Sequence, residues 1–550
     1  MEIVWNGQPL AVEPGRALED ILRAHPVVTD TCVIAALVNN QLRELTYAPE
    51  PFDVVVTLDL HHPDGWRIYE RSLAYIFVQA ARACYPGARV LIEHSLSKGL
   101  YCRVVGETPV GIQGVRRIDH EMQRIISEDR PIRRVEVTRR EAVAHYEALG
   151  MTDKVRLLSY RKGEGFHFYE SGGMKEYMYG YMAPSTGYIQ RYRLHAYMPG
   201  MLLLPPPATD PAGPIEFVSQ PKLAAVFRQA ERWGEMMGVA NAADLNDLVA
   251  KGDVGEFIRI NEALHEKSIA RIADQICQDP NRRLILIAGP SSSGKTTFAQ
   301  RLGIQLKVNG QHPVTISLDN YYLDREKCPR DQYGQYDFES IQAIDIAQFN
   351  EDLTRLLQGE AVRLPRFDFT LGRQVDSGVT LQLGERQPIV VEGIHGLNES
   401  LTALIPREMK FKIYISCLTQ LNLDDQNRIP STDDRLIRRI VRDHQFRSTT
   451  AEGTLKMWSG VRRGEEKYIF PYQEQADVMF NSSLTYELAV LVRYVAPLLE
   501  GFGHDHSFYP EVNRLRKFIQ YFQPISEALE QEIPRTSILR EFIGGSSFAH

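Results

Sequence analysis

The stretch Leu284-Ile-Leu-Ile-Ala-Gly289-Pro290-Ser291-Ser292-Ser293-Gly294-Lys295-Thr296-Thr297 constrains this chain more than any other, because an apolar run stops abruptly in a glycine-bounded, hydroxyl-rich turn. It is a complete G-x-x-x-x-G-K-T phosphate loop. Leu284 to Ala288 reads as a buried strand and the residues after Thr297 carry helical spacing, which is the strand-turn-helix setting the motif needs. Gly289 and Gly294 allow backbone angles that turn successive N–H groups inward, and the helix N-terminus adds partial positive charge. Lys295 supplies a point charge for the β- and γ-phosphates, and the Thr296 hydroxyl is placed to ligate Mg²⁺. Residues 289–297 are therefore expected to bind a nucleoside triphosphate, ATP in the first instance.

At 550 residues the chain is too long for one core, so roughly two to four domains are expected. Its longest apolar runs, Leu284 to Ala288 and Met201 to Leu204, fall well short of the ~20 residues that span a bilayer. The start, Met1-Glu-Ile-Val-Trp-Asn-Gly7, has neither the basic region nor the long apolar region of a secretory signal. Six cysteines lie scattered without C-x-x-C spacing, which favours reduced thiols and a cytoplasmic setting over disulfides or structural zinc. A net charge of −7 argues against broad non-specific nucleic-acid binding.

Taken in order, residues 1–62 show short alternating strands around one helix at Leu18 to Leu22, a β-grasp pattern. From Asp64-Gly65-Trp66 the period becomes helical through Arg82, closed by Tyr85-Pro86-Gly87. The order of these pieces is similar to the N-terminal half of threonyl-tRNA synthetase, with residues 1–62 resembling a TGS domain. Residues 63–210 resemble that family's second additional domain, through Asp64-Gly65, Tyr85-Pro86-Gly87-Ala88, Ser97-Lys-Gly99-Leu-Tyr101 and Pro184-Ser-Thr-Gly187. The resemblance places that domain's H-x-x-x-H and C-x-x-x-H metal positions at Arg71, Tyr75, Met178 and Met182. Methionine and tyrosine cannot replace imidazole and thiolate on zinc, so a metal-free scaffold is expected. His94 and His167 lack ligand-spaced companions and read as structural. The cluster Tyr177-Met-Tyr179-Gly-Tyr181, with Tyr188, Tyr192, Tyr197 and the nearby Arg161, Arg191 and Arg193, offers two readings: a stacking surface for RNA, or aromatic strand faces packed inside, which is preferred. A proline-rich break at 201–214 then leads into a helical linker over 211–279.

The region 280–500 alternates apolar strands with helical stretches, predicting a parallel α/β sheet with helices on both faces. Ligands of such sheets gather at the carboxyl ends of the strands. Val314 to Asp319 and Pro388 to Glu392 both end in a carboxylate, so both acids should stand beside Lys295. Glu392 and Thr296 are assigned to the metal, and Asp319 becomes the general base that takes the proton of an attacking hydroxyl. The plain alternative for each is a surface acid at a strand end. Arg435, Arg438, Arg439 and Arg442 recur at three- and four-residue spacing on one helix, where guanidinium groups can clamp phosphates and stabilise transferring charge.

This set resembles the uridine kinase family over about 284–480. Ser317-Leu-Asp319-Asn-Tyr-Tyr322 matches the segment with the catalytic aspartate, and Tyr336-Asp337-Phe338 matches the one whose aspartate holds ribose hydroxyls. Leu364-Pro-Arg-Phe367-Asp368-Phe369 corresponds to the segment that contacts the base. Glu392-Gly-Ile-His-Gly and Asp434-Arg435-Leu-Ile-Arg438-Arg439-Ile-Val-Arg442-Asp443 match the strand-end glutamate and the arginine-rich lid. The resemblance implies Lys295, Asp319 and Arg438 as catalytic, and Tyr322, Asp337, Phe367, Arg373, Arg435 and Arg439 as substrate-binding. The expected activity is ATP- and Mg²⁺-dependent phosphorylation of a small-molecule alcohol, the 5′-OH of uridine or cytidine first. Where the family has a base-reading histidine, this chain has Phe367-Asp-Phe-Thr-Leu-Gly372-Arg373 with one residue fewer, which opens a sugar or polyol as the acceptor. A third reading is a nucleotide-switched regulator that binds tRNA or another RNA. The sequence offers no role for Gln420 to Thr432, and residues 501–550 read as a docked tail, a contact in a homo-oligomer or a frayed end.

Overall fold

A computed structural model describes residues 1–161, 165–330, 334, 336–368 and 371–548. The first module is a five-stranded sheet in the order Gln8–Ala11, Glu2–Trp5, Val54–Leu58, Ala35–Val38, Gln41–Glu44. Glu2–Trp5 and Val54–Leu58 run parallel and the other neighbours antiparallel, with the helix Leu18–Ala24 crossing the sheet to bury Leu18 and Ile21: a β-grasp fold. Asn6 and Gly7, both at positive φ, make the first tight turn.

The second module is built on the 22-residue helix Pro63–Cys84. Its N-terminus is capped by the His62 side chain, and its apolar face packs on a four-stranded antiparallel sheet, Arg193–Tyr197, Gly200–Leu204, Gly99–Val105 and Arg89–Leu96. The four positions aligned with zinc ligands are filled solid. Tyr75 donates its hydroxyl to the carbonyls of Tyr169 and Met174, Met178 and Met182 are buried in the same apolar cluster, and Arg71 donates to Tyr181 O at 2.6 Å. The Arg71 guanidinium lies where a Cβ on Gly180 would stand. This region is a packed scaffold at the place where the resemblance puts a metal.

The tyrosines spend their hydroxyls inside the molecule. Tyr177 meets Tyr521, Tyr179 donates to Arg514 O at 2.7 Å, and Tyr188 donates to Glu19 at 3.0 Å, while Arg161 lies over the Phe166 ring. Tyr177 is buried, Tyr179, Tyr181, Tyr188, Tyr192 and Tyr197 pack half-buried against the apolar clusters, and Arg191 and Arg193 are exposed. His94 is likewise a core residue, stacked on Phe227 at 3.9 Å.

Helices Pro221–Met237, Ala242–Lys251 and Val254–Cys277 lead to the third module. Its sheet has the order Val314–Ser317, Ile389–Glu392, Leu284–Ala288, Lys410–Ser416, Val478–Asn481, every pair parallel. Central strands that are wholly apolar, such as Leu284–Ala288, bury both faces, as a parallel sheet covered by helices demands. One side packs with the helices Val254–Cys277, Lys295–Val308 and Ser431–Phe446, and the other with Ile346–Leu357.

Gln420 to Thr432, without a role in the sequence, is the joint between the halves. It leaves the strand Lys410–Ser416, crosses to the second module, and returns to start the helix Ser431–Phe446. Ile92 N–H donates to Asp425 O at 2.8 Å, Gln426 to Val90 O at 2.7 Å, and Tyr179 N–H to Asn427 Oδ1 at 2.7 Å. Lys154, buried, stands 3.2 Å from Glu176 and 3.0 Å from Asp424, so one ammonium ties the two halves. The C-terminal segment is docked: helix Tyr509–Ile519 and the buried side chains Ile533, Ile538, Leu539 and Phe542 belong to the core that also holds Phe298 and Leu302.

Candidate active site

The phosphate loop leaves the central strand at Ala288 and enters the helix Lys295–Val308. Gly289 has no room for a side chain, since a Cβ there would lie 1.9 Å from Ile415 O, and Gly294 sits at φ +80. Lys295 folds back over the loop, its Nζ donating to the carbonyls of Gly289 at 3.0 Å and Pro290 at 3.1 Å. Ser292 and Ser293 are buried beneath the turn. Thr296, half-buried, opens the helix beside Lys295.

Register delivers the acids. Glu392 pairs with Ser317 on one side and Ile287 on the other, so the three strands end level at the mouth of the loop. Asp319 follows two residues beyond Ser317, in the turn Leu318–Tyr321. The Ser317 hydroxyl donates to Glu392 Oε1 at 3.2 Å and fixes that carboxyl. Asp319 is exposed, so solvent reaches it, yet the surrounding protein still pushes its carboxyl up, opposed by Lys295 and Arg447. Burial and then the neighbouring Asp319 push Glu392 up to about 7. Burial lowers Lys295, against the pull of Glu392 and Asp319. Two carboxylates, one of which raises the other, beside a loop hydroxyl form an oxygen donor set suited to a hard divalent cation.

A third acid was not singled out from the sequence. Glu339 lies two residues after Asp337, its side chain against Gly464. Burial pushes it up to about 7, with Glu465, Arg439, Lys295 and Asp319 as its charged neighbours. Its signal was adjacency to Asp337 alone. Asp337 itself accepts a hydrogen bond from the Tyr468 hydroxyl at 2.9 Å. His395 stands edge-on to that tyrosine at 6.0 Å, and burial pushes its imidazole down to about 4. The Tyr322 and Phe367 rings meet at 5.8 Å, tilted by 58°, next to Asp319. Phe369 lies outside the described residues. Arg373 stands exposed at the start of the returning strand Arg373–Leu381, where its charge acts on Asp324.

Contrary to the expectation for Arg438, the arginine helix packs onto the phosphate loop. Its first three arginines grip the loop itself: Arg435 Nε donates to Ser291 O at 3.0 Å, Arg438 Nη1 to Ser292 O at 3.3 Å, and Arg439 Nη1 to the Ser291 hydroxyl at 2.6 Å. Arg438 is wholly buried, with Nε on Glu487 at 3.0 Å, Nη2 on Ser482 O at 2.9 Å and the Phe542 ring 5.0 Å away. Its donors are committed to the core. It therefore braces the phosphate loop rather than facing a transferring phosphate, and spacing alone could not separate these two uses. Arg435 is likewise tied to Glu465, whose Oε1 also accepts from Ser291 N–H at 3.0 Å. Arg439, also buried, has Asp443 at 3.2 Å and Glu339 among its charged neighbours.

A parallel sheet whose central strand feeds a phosphate loop, with two strand-end acids at its mouth, defines a P-loop kinase domain. Residues 284–489 match the family model described as Phosphoribulokinase / Uridine kinase family. A uridine kinase from Lactobacillus helveticus is 28% identical over 198 residues, 36% of this chain and 84% of that protein. The N-terminal region matches threonine–tRNA ligases, among them that of Nitratidesulfovibrio vulgaris (strain DSM 19637 / Miyazaki F), 26% identical over 196 residues. That match takes in 35% of this chain and 30% of the ligase, so the chain spans less than a third of the ligases' length. Among solved structures, a possible uridine kinase from Bacillus stearothermophilus aligns at 20% identity with a TM-score of 0.23, over 36% of this chain and 89% of that one. Among the described residues no helix is long and apolar enough to cross a membrane.

Proposed function

We propose that this chain is an ATP-dependent kinase that transfers the γ-phosphoryl group to a hydroxyl of a small molecule, with the 5′-OH of a ribonucleoside such as uridine or cytidine as the leading acceptor. The observation that carries this reading is the convergence of Asp319, Glu392 and Lys295 on the mouth of the phosphate loop. The loop N–H groups and Lys295 hold the phosphates, and no covalent intermediate on the protein is needed because positioning and charge do most of the work in phosphoryl transfer. Glu392 and the Thr296 hydroxyl would hold Mg²⁺, which when bound neutralises charge on the β- and γ-oxygens. Asp319 takes the proton of the acceptor hydroxyl as it attacks. Asp337, its Oδ2 held by Tyr468, grips a vicinal diol through Oδ1, while the tilted rings of Tyr322 and Phe367 supply apolar surface.

A sugar or polyol acceptor is the second reading. Glu339 favours it, since another carboxyl in the cleft suits a solute rich in hydroxyl donors. The test is ATP consumption by the purified protein with Mg²⁺ against a panel of nucleosides, sugars and polyols, with Asp319→Asn as control. Turnover with uridine or cytidine that vanishes in the variant supports the leading acceptor. Turnover confined to a polyol moves the assignment there, and no turnover with any alcohol refutes the kinase reading.

A further inference from the structure

The C-terminal segment reaches back to the phosphate loop. It is anchored by Ile538, Leu539 and Phe542, all fully buried, and by the Ser537 hydroxyl, which donates to Glu262 at 2.5 Å. From this anchor Glu541 extends to the first turn of the loop helix. Its Oε2 accepts from the Thr297 hydroxyl at 2.8 Å and from Thr297 N–H at 3.3 Å. Ile538 closes over the loop from the same side, its Cγ2 standing 2.4 Å from where a Gly294 Cβ would be. The Phe542 ring lies against Arg438, which itself holds Ser292 O.

A carboxylate on a free N–H in the first turn of a phosphate-loop helix is an anion in an anion site. The loop and this first turn are what such a motif offers to the phosphates of a nucleotide. Glu541 is also close enough to Lys295 and Glu392 to act on both charges, so it shares the electrostatic field that a triphosphate would enter. We infer that the C-terminal segment is an intramolecular competitor of the nucleotide: the Glu541 carboxylate takes the place of a phosphate oxygen at Thr297, and a nucleoside triphosphate binds only by displacing it. The inference rests on the reading of residues 289–297 as the nucleotide site. Binding then draws on the fraction of molecules in which Glu541 has left, so apparent affinity falls by that fraction. The segment Ser537 to Ile543 thereby becomes a device through which anything that pulls on the C-terminus adjusts nucleotide affinity.

The experiment is calorimetric titration of the full chain with Mg²⁺·ATP and with Mg²⁺·ADP, for the wild type, Glu541→Gln and Glu541→Ala. Hydrogen exchange of residues 537–543 is followed with and without nucleotide. Glu541→Gln keeps the shape and an acceptor oxygen, so its fold is expected to hold, and thermal unfolding checks this. Charge-assisted hydrogen bonds of this kind shift equilibria by roughly tenfold or more, so both variants should bind nucleotide about tenfold tighter. Nucleotide should also speed exchange at 537–543 in the wild type. Adding Lys295→Ala to Glu541→Gln should abolish the gain and so place it at the loop. Affinities within twofold of wild type, with exchange at 537–543 unmoved by nucleotide, would make Glu541 a permanent helix cap and overturn the inference. Absence of nucleotide binding in all three proteins would instead overturn the reading of the loop.

Discussion

Replacing Lys154 with Met tests whether the two halves of this chain are held by charge buried between them. The Lys154 ammonium is 2% exposed, Glu176 0% and Asp424 1%. Glu176 keeps Arg82 at 2.7 Å and the Tyr146 hydroxyl at 2.9 Å after the change. Asp424 keeps only neutral donors among those described, Gln426 N–H and Asn427, and becomes a buried carboxylate without a cation. Removing one partner of a buried ion pair costs about 3–5 kcal/mol. The pH dependence has a definite sign. Burial already raises Asp424, and losing Lys154 raises it further, so the folded state holds this proton more tightly than the unfolded chain does. The penalty is fully present above the folded pKa and fades as the pH falls towards the unfolded value, by about 1.4 kcal/mol per unit in that window. Denaturant unfolding of wild type and Lys154→Met at pH 8 and pH 5 should show a large deficit at pH 8 that narrows at pH 5. Asp424→Asn added to the variant should recover much of it. A deficit below about 1 kcal/mol at pH 8, or one that is equal at both pH values, would refute the argument.

Other outcomes follow from the cleft. Asp319→Asn should lower turnover about 10²- to 10⁴-fold while calorimetry finds nucleotide affinity little changed, because the variant removes a proton acceptor and no phosphate contact. Turnover should rise as pH passes upward through about 7, since Glu392 and Glu339 stay protonated below that and a protonated Glu392 cannot serve a cation. Glu392→Gln should lower the rate and flatten that limb of the profile. Arg438→Leu should destabilise the protein by about 3–5 kcal/mol in denaturant unfolding, because it leaves Glu487 buried and unpaired in its surroundings.

The parts of this molecule that follow local rules were legible in its sequence. The phosphate loop, the buried strand before it and the strand-end acids rest on periodicity and on glycine's freedom, both visible within some fifteen residues. That Arg71, Tyr75, Met178 and Met182 are poor zinc ligands is likewise readable from their chemistry, whereas how tightly they pack is not. What escaped depends on contacts between distant segments. Arg438 has the same spacing whether its guanidinium faces a phosphate or the buried Glu487, 49 residues away in sequence. Glu339 acquires its raised pKa from burial beside Arg439 and Glu465. The reach of Glu541 to Thr297 spans 244 residues and has no periodic trace.

The path of Gln420 to Thr432 also bears on how such proteins arise and can be recombined. The kinase module does not end where its sequence likeness ends, because a stretch inside it supplies the Asp425 carbonyl to Ile92 N–H and the Asn427 side chain to Tyr179 N–H of the synthetase-like module. Cut out alone, residues 280–500 would present Asp424, Gln426 and Asn427 to water with their fitted surface gone, while the Val90 and Tyr177 carbonyls of the scaffold would lose the donors that match them and Lys154 its partner Asp424. The two halves thus share one fitted contact, and exchanging either without residues 420–432 would leave these buried donors and acceptors unmatched.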